Sequence, residues 1–341
     1  MRGVRIATYN VEWFVNLFDQ RGRLLEDNQP SARYKVTRAQ QLEALGIVFT
    51  ALDADAVMII EAPDNNRHRK TVPMLERFAA RYDLRCRKAL LGFENETQQE
   101  IAMLYDPDAL SLRHDPKGGV EGASPRFDQS YLIDLDIDAA LDKVSFNKPP
   151  FEIAAVTAAG FHFRMIGVHA KSKAPHGDMT EAEERRLAIA NRRKQLAEST
   201  WLRARVREHL QIGESLMVMG DMNDGPGLDE YEKLFGRSGV EIVLGGNEPV
   251  ATRLFDPHAR MALGKKLAAA PSSARFYLGD QKRFFSALLD YIMVSPDLRA
   301  KKPQWRIWHP FDDPGCYEVP ELREALLMAS DHFPVSVDLP I

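Results

Sequence analysis

The chain has 341 residues, 45% of them hydrophobic, and its 45 basic and 49 acidic side chains leave a net charge of −4. Enough apolar material is present for a sizeable core, and the slightly acidic balance argues against a dedicated, sequence-independent nucleic-acid binder, which would be basic. Cys86 and Cys316 stand far apart with no partner at ligand spacing, which speaks against a disulfide or zinc site. No apolar run approaches the roughly 18 residues of a membrane span. The first strand begins near Val4 with no room for a signal peptide, so a cytoplasmic protein without a membrane partner is expected.

Residues 4–11 alternate as a strand that stops at Asn10. Residues 16–38 are polar and unpatterned, with Gly22 and Pro30, and read as a long loop. Leu42, Leu45, Val48, Phe49 and Leu52 then recur at helical spacing over 40–52, leading into a nearly continuous apolar strand over 55–61 that stops at Glu61. Helix followed by buried strand is the repeating unit of a layered α/β protein. A second helix is expected over 71–82 and a strand over 100–105.

Arg126 is followed by a long alternating segment through Ile137, and residues 161–168 form a clear strand delivering His169. Lys171 and Lys173 follow at spacing two and offer cations to an anionic substrate. Residues 180–210 read as one long helix or two abutting ones, opened by Thr180 with Glu181, Glu183 and Glu184 near the positive end. This helix carries Arg185, Arg186, Arg192, Arg193, Lys194, Arg203, Arg205 and Arg207; such a face could track a phosphate backbone, but charge runs on helices are usually solvated.

Leu216-Met-Val-Met-Gly-Asp-Met-Asn-Asp is an apolar run that stops at a carboxylate and a carboxamide, and the period of two points Asp221 and Asn223 the same way. Residues 225–285 are the least patterned. Within them Arg275-Phe-Tyr and Lys282-Arg-Phe-Phe mix cations with aromatics, which suits base stacking, another planar or acyl ligand, or simply the core. Asp290 comes just before Tyr-Ile-Met-Val, and Ser330-Asp331-His332 just before Phe-Pro-Val-Ser-Val. No repeat or linker composition divides the chain, so one domain over 1–341 is expected.

A single Asp or Asn after a strand is usually a turn residue or helix cap. Six strand ends with the same punctuation suggest more. If the strands that end in polar groups run opposite to those that begin with them, Asn10, Glu61, His169, Asp221, Asn223, Asp290, Asp331 and His332 meet at one pocket.

Ala7-Thr-Tyr-Asn-Val-Glu-Trp-Phe, the Glu61 strand, Gly167-Val-His-Ala-Lys-Ser-Lys, Gly220-Asp-Met-Asn-Asp, Leu289-Asp-Tyr-Ile-Met-Val-Ser and Ser330-Asp-His-Phe-Pro-Val resemble, in this order, the blocks of the endonuclease/exonuclease/phosphatase superfamily. Gln99-Glu-Ile-Ala-Met-Leu-Tyr-Asp-Pro adds a further strand, and the resemblance runs from about residue 4 to 338. It implies a DNase I-like four-layer α/β sandwich, two packed mixed β-sheets flanked by helices. It also implies an Arg facing the phosphate near Arg126, a weak match, and an Arg and a Gln in the long helix, where Arg193 and Gln195 are the nearest echoes.

Phosphate-ester hydrolysis needs charge neutralisation, an activated water in line and a stabilised leaving oxygen. Oxygen ligands suit Mg²⁺ or Mn²⁺ and disfavour zinc. Glu61 is the best metal ligand, with Asn10 and Asp331 close by, and the resemblance implies the same. A protonated His332 oriented by Asp290 binds a phosphoryl oxygen. Asp221 is the candidate for deprotonating the attacking water, and Asn223 for contacting the phosphate. His169, which matches a His of the DNase I and sphingomyelinase-like branches, would donate to the phosphate or leaving group; the choice of main base between Asp221 and His169 stays open. The expected activity is a divalent-metal phosphodiesterase, with nucleic acid the favoured substrate by fold analogy. A phosphomonoesterase or phospholipid phosphodiesterase is the runner-up, and a non-catalytic binder on the same scaffold carries low weight. No obligate protein partner is evident.

Overall fold

The computed structural model describes residues 3–118, 123–135, 141–173, 180–225, 236–264, 270–279 and 281–341. Its organising feature is a pair of stacked sheets. The first has six strands: β1 (Val4–Asn10), β2 (Ala56–Ala62), β3 (Lys88–Leu91), β4 (Glu100–Tyr105), β14 (Gln304–Ile307) and β15 (Val335–Leu339). Their order is β14-β15-β1-β2-β4-β3. The second has five strands: β5 (Leu110–His114), β8 (Phe151–Thr157), β9 (His162–His169), β10 (Leu216–Asp221) and β13 (Asp290–Val294). Their order is β13-β10-β9-β8-β5.

Alternation along each strand fills two cores at once. In β1 and β2, Ile6, Ala56, Met58 and Ile60 point into the space between the sheets, where they meet Met165, Met217, Met219 and Ile292. Ala7, Tyr9, Val57 and Ile59 point the other way, onto helices α1 (Arg38–Leu52), α2 (Thr71–Arg81) and α8 (Pro320–Ala329). On the far side Ile166, Val168, Leu216 and Val218 meet Trp201 and Val206 of helix α3 (Glu181–Gln211), together with Val240 and Val243 of the short α4 (Gly239–Leu244). Strands covered on both faces read as continuous apolar runs, which is why 56–60 and 216–219 are so uniformly hydrophobic. The result is the expected helix–sheet–sheet–helix layering.

The long helix is one element. Thr180 accepts from the Glu183 N–H while the Glu183 carboxylate takes the Thr180 N–H, a capping box that fixes its start. Thr37 and Gln40 open α1 in the same way.

Two expectations change. The alternating segment after Arg126 is a small ribbon instead, β6 (Ser130–Ile133) paired with β7 (Asp142–Ser145), and residues 136–140 lie outside the described residues. The weakly patterned 225–285 region holds α4, a 3-10 turn at Val250–Thr252, α5 (Pro257–Leu263) and a hairpin of β11 (Ala274–Leu278) with β12 (Arg283–Ala287). Short helices α6 (Pro296–Ala300) and α7 (Pro314–Tyr317) follow.

Candidate active site

Strand direction brings the polar ends together. β1 and β2 run parallel, so Asn10 and Glu61 leave the first sheet at one edge, and antiparallel β15 is entered there from His332. β9 and β10 run parallel and β13 antiparallel, so in the second sheet Asp221 stands opposite both His169 and Asp290. The two edges face each other across a cavity of about 530 Å³, lined among others by Asn10, Glu61, Lys148, His169, Asp221, Asn223, Asp331 and His332.

Local backbone serves this placement. Glu61 sits at a bulge in the β2–β4 pairing with φ of 62°, which turns its side chain out of the strand's alternation and toward the cavity wall. Gly220 has φ of 131°, and a Cβ there would lie 2.0 Å from the Val168 carbonyl oxygen, so only glycine lets β10 lie this close to β9 just before Asp221.

His332 and Asp290 form a buried pair that crosses between the sheets, with Nδ1 2.8 Å from Oδ2. Ser273 Oγ donates to the same Asp290 oxygen at 2.8 Å and receives the Leu289 and Asp290 N–H groups. Burial alone would discharge the His332 ring, but Asp290, Asp221 and Asp331 outweigh it and hold its pKa well above the ordinary histidine value. The ring is an imidazolium whose Nε2 lies 4.0 Å from Asp221 Oδ2.

Asp221 is wrapped in donors: Asn10 Nδ2 at 3.1 Å, the Asn223 N–H at 2.7 Å and Asn223 Nδ2 at 3.2 Å. Burial pushes its carboxyl up to about 7, against the pull of His332 and with a further push from Asp290. His169 is neutral, because burial, Lys148 and His332 all drive its pKa well below the usual value. Its Nε2 is 3.7 Å from Asp221 Oδ2 and 3.9 Å from Glu61 Oε1. Lys148 Nζ lies 3.0 to 3.1 Å from the two His169 ring nitrogens. Burial brings that lysine down to about 8, with Glu61 and Asp221 opposing.

The donor set for a hard cation is present. Glu61 accepts the Trp13 N–H on Oε2 at 2.9 Å, and its other oxygen turns toward His169. Asn10 offers an amide oxygen that also takes the Glu12 N–H at 3.0 Å, and Asp331 lines the same cavity. All three are oxygen ligands of the kind Mg²⁺ and Mn²⁺ favour. Among the described residues, ligand atoms of Asp221, Asp290 and His332 also lie within 4.8 Å of one another. There His332 Nδ1 lies 2.8 Å from Asp290 Oδ2, so one ligand atom of that cluster is already engaged in a hydrogen bond.

Several expected positions fall elsewhere. Arg126 is half-buried, bonded bidentately to Asp128 at 3.0 and 2.9 Å and set against the Phe93 ring, away from the cavity lining. Lys173 bonds Asp224 at 2.7 Å, a buried carboxylate it shares with Arg192, and so is a structural cation. Lys171 lines the cavity as expected. The Asn223 amide spends its hydrogens on Asp221 and the Ala170 carbonyl, which makes it a holder of Asp221. Three arginines of the long helix are withdrawn from any phosphate track: Arg192, Arg203 and Arg205 are buried on Asp224, Glu248 and Glu152. Arg193 pairs with Asp142, while Gln195 donates to the Lys171 and Asn223 carbonyls and ties two cavity-lining loops to α3.

Lys148, Ser273 and Glu198 were not foreseen. Lys148, just ahead of Pro149-Pro150 and the strand β8, lines the cavity that Arg126 does not reach, and nothing in the local sequence sets it apart. Glu198, on α3, lines the cavity and accepts the Lys171 N–H at 2.8 Å. Among the described residues no helix is long and apolar enough to cross a membrane.

A search of curated proteins finds no match. Similar solved structures include TDP2 from C. elegans, 13% identical over 99% of this chain and 75% of that chain, with a TM-score of 0.50. The 3′-5′ exonuclease NExo from Neisseria meningitidis is 14% identical over 99% of this chain and 100% of that chain, with a TM-score of 0.49. An endonuclease/exonuclease/phosphatase from Bacteroides vulgatus is 14% identical over 99% of each chain, with a TM-score of 0.48. At such an identity the likeness to the first of these bears on fold alone. The model of the Endonuclease/Exonuclease/phosphatase family matches residues 7–332. With two stacked mixed sheets and a facing pair of polar strand edges, the chain belongs to the endonuclease/exonuclease/phosphatase family of phosphoester hydrolases.

Proposed function

We propose that the chain is a divalent-metal phosphodiesterase whose substrate is nucleic acid. The observation that carries this reading is the His332–Asp290 pair standing across one cavity from the Glu61 carboxylate, with Asp221 buried between them. Glu61, Asn10 and Asp331 would hold Mg²⁺ or Mn²⁺, which supplies charge neutralisation to the non-bridging and leaving oxygens when bound. The His332 imidazolium and the Lys148 ammonium receive phosphoryl oxygens, fixed by Asp290 and His169 respectively. Asp221, with a carboxyl near 7, takes the proton of the attacking water in the neutral range. His169 is less suited to that step, since the acceptor nitrogen of its neutral ring lies within hydrogen-bond reach of the Lys148 ammonium. Asn223 and Asn10 orient Asp221, and Lys171 adds charge at the rim.

The test is turnover of bis(p-nitrophenyl) phosphate, its monoester, plasmid DNA and RNA with Mg²⁺ or Mn²⁺. Diester and nucleic-acid hydrolysis is expected, lost with chelator and reduced about 10³-fold or more in His332→Ala. Turnover of the monoester alone would replace this reading with a phosphomonoesterase.

A further inference from the structure

The hairpin β11–β12 adjoins the cavity and has two unlike faces. Cross-strand pairing sets Phe276 against Phe285 and Tyr277 against Phe284. Phe276 and Phe285 stack at 6.5 Å between centroids and turn toward the site, with Phe276 edge-on to His332 at 5.8 Å. The opposite face presents Tyr277 and Phe284, each about half exposed and touching edge to face at 5.2 Å.

Arg275 lies on that outer face. Its guanidinium sits 3.5 Å above the Phe284 ring and 5.5 Å from Phe311, itself 46% exposed. Among the described residues no carboxylate is paired with it, whereas most arginines of this chain hold one. A guanidinium held flat on a ring keeps its N–H edge available for bidentate contact with phosphate. The strand is anchored to the site, because the Arg275 N–H donates to the Asp331 carbonyl at 2.7 Å and Ala274 bridges His332. Lys282 and Arg283, both exposed, continue the positive charge along the hairpin.

We infer that the outer face of this hairpin, with Arg275, Tyr277, Phe284 and Phe311, binds single-stranded nucleic acid leading to the scissile phosphate. Bases stack on the exposed rings while Arg275 takes a backbone phosphate. Stacking suits an unpaired strand, because a base inside a duplex has both faces covered already. This rests on the reading of the cavity as a phosphodiesterase site and adds the form of the substrate.

The experiment measures binding of fluorescein-labelled oligothymidylate, a labelled dinucleotide and a blunt duplex to the full chain carrying His332→Ala, so that no probe is consumed. The oligonucleotide is expected to bind more tightly than the dinucleotide and the duplex. Adding Phe284→Ala should weaken oligonucleotide binding about 5- to 150-fold, the value of one stacked base, and erase its advantage over the dinucleotide. Adding Arg275→Met should lower the slope of log affinity against log salt by about 0.7, one phosphate contact on a single strand. Thermal melting checks that both variants fold. Tighter duplex binding, no oligonucleotide binding by the parent, or unchanged affinity and salt slope in both folded variants would overturn the inference. Failure of the enzymatic reading shows separately, as no turnover of bis(p-nitrophenyl) phosphate by the wild-type chain.

Discussion

At the scale of single residues, what decides the chemistry is how a buried proton-transfer group is partnered. Asp221 and His332 are both buried, yet one is carried to about 7 and the other held well above its ordinary value, because Asp290 speaks for the histidine. The working form has Asp221 ionised and His332 protonated. Activity therefore rises as pH climbs through about 7 and falls as pH climbs through the His332 value. Asp290→Asn removes the largest influence raising His332, so the alkaline limb of kcat/KM should move to lower pH and the maximum drop about 10²-fold or more. A pH profile at saturating metal checks this; an alkaline limb that stays in place would refute it. Most of the acids and imidazoles of the cavity were legible because each stops or opens an apolar run. Lys148 was not, since one lysine in a polar loop looks like any other, and only its fold-imposed seat against His169 makes it special. Arg126 shows the converse: a charge near the right place in sequence is drawn off by Asp128 two residues on.

At the scale of elements, registry between β9 and β10 is the sensitive quantity. Asp221 faces His169 only because Gly220 lets the strands approach with a backbone no L side chain tolerates. Gly220→Ala should cost about 3 kcal/mol, from the positive φ and the contact with the Val168 carbonyl together, and should lower turnover beyond that loss. Urea unfolding followed alongside diester hydrolysis measures both, and a folded, fully active variant would contradict the argument. Strands with a clear alternation or an unbroken apolar run, such as 4–10 and 216–221, were readable from sequence within a residue or so. β8 was not, as Phe151-Glu-Ile-Ala-Ala-Val-Thr has only small residues where alternation should be strongest. Short elements such as α6 and β14 are shaped by the surfaces they land on rather than by local pattern.

At the scale of the whole molecule, the arginines of α3 brace the outer layer against its surroundings. Arg203 and Arg207 both reach Glu248, and although burial opposes them they hold that carboxyl at about 2. An unfolded glutamate titrates near 4.3, so the contribution is complete above that value and is lost as pH falls toward 2. Glu248→Gln should then destabilise the protein at pH 6, and the gap from wild type should shrink between roughly pH 4 and pH 2. Urea unfolding at pH 6 and pH 3 tests it; a gap of constant size would show that Glu248 acts through shape alone. Net charge gave no hint of this bracing, because composition counts charges without saying which are spent on each other.

Two bonds of the proposed catalytic machinery, His332 to Asp290 and Asn10 to Asp221, each have one end on either sheet. The catalytic centre is thus a seam rather than a property of one layer. A slip of one layer over the other by a single ångström would part proton donor from acceptor while leaving every strand intact. Turnover in such a molecule is a gauge of how the layers are aligned, and it is the first thing to fail when their shared interior loosens.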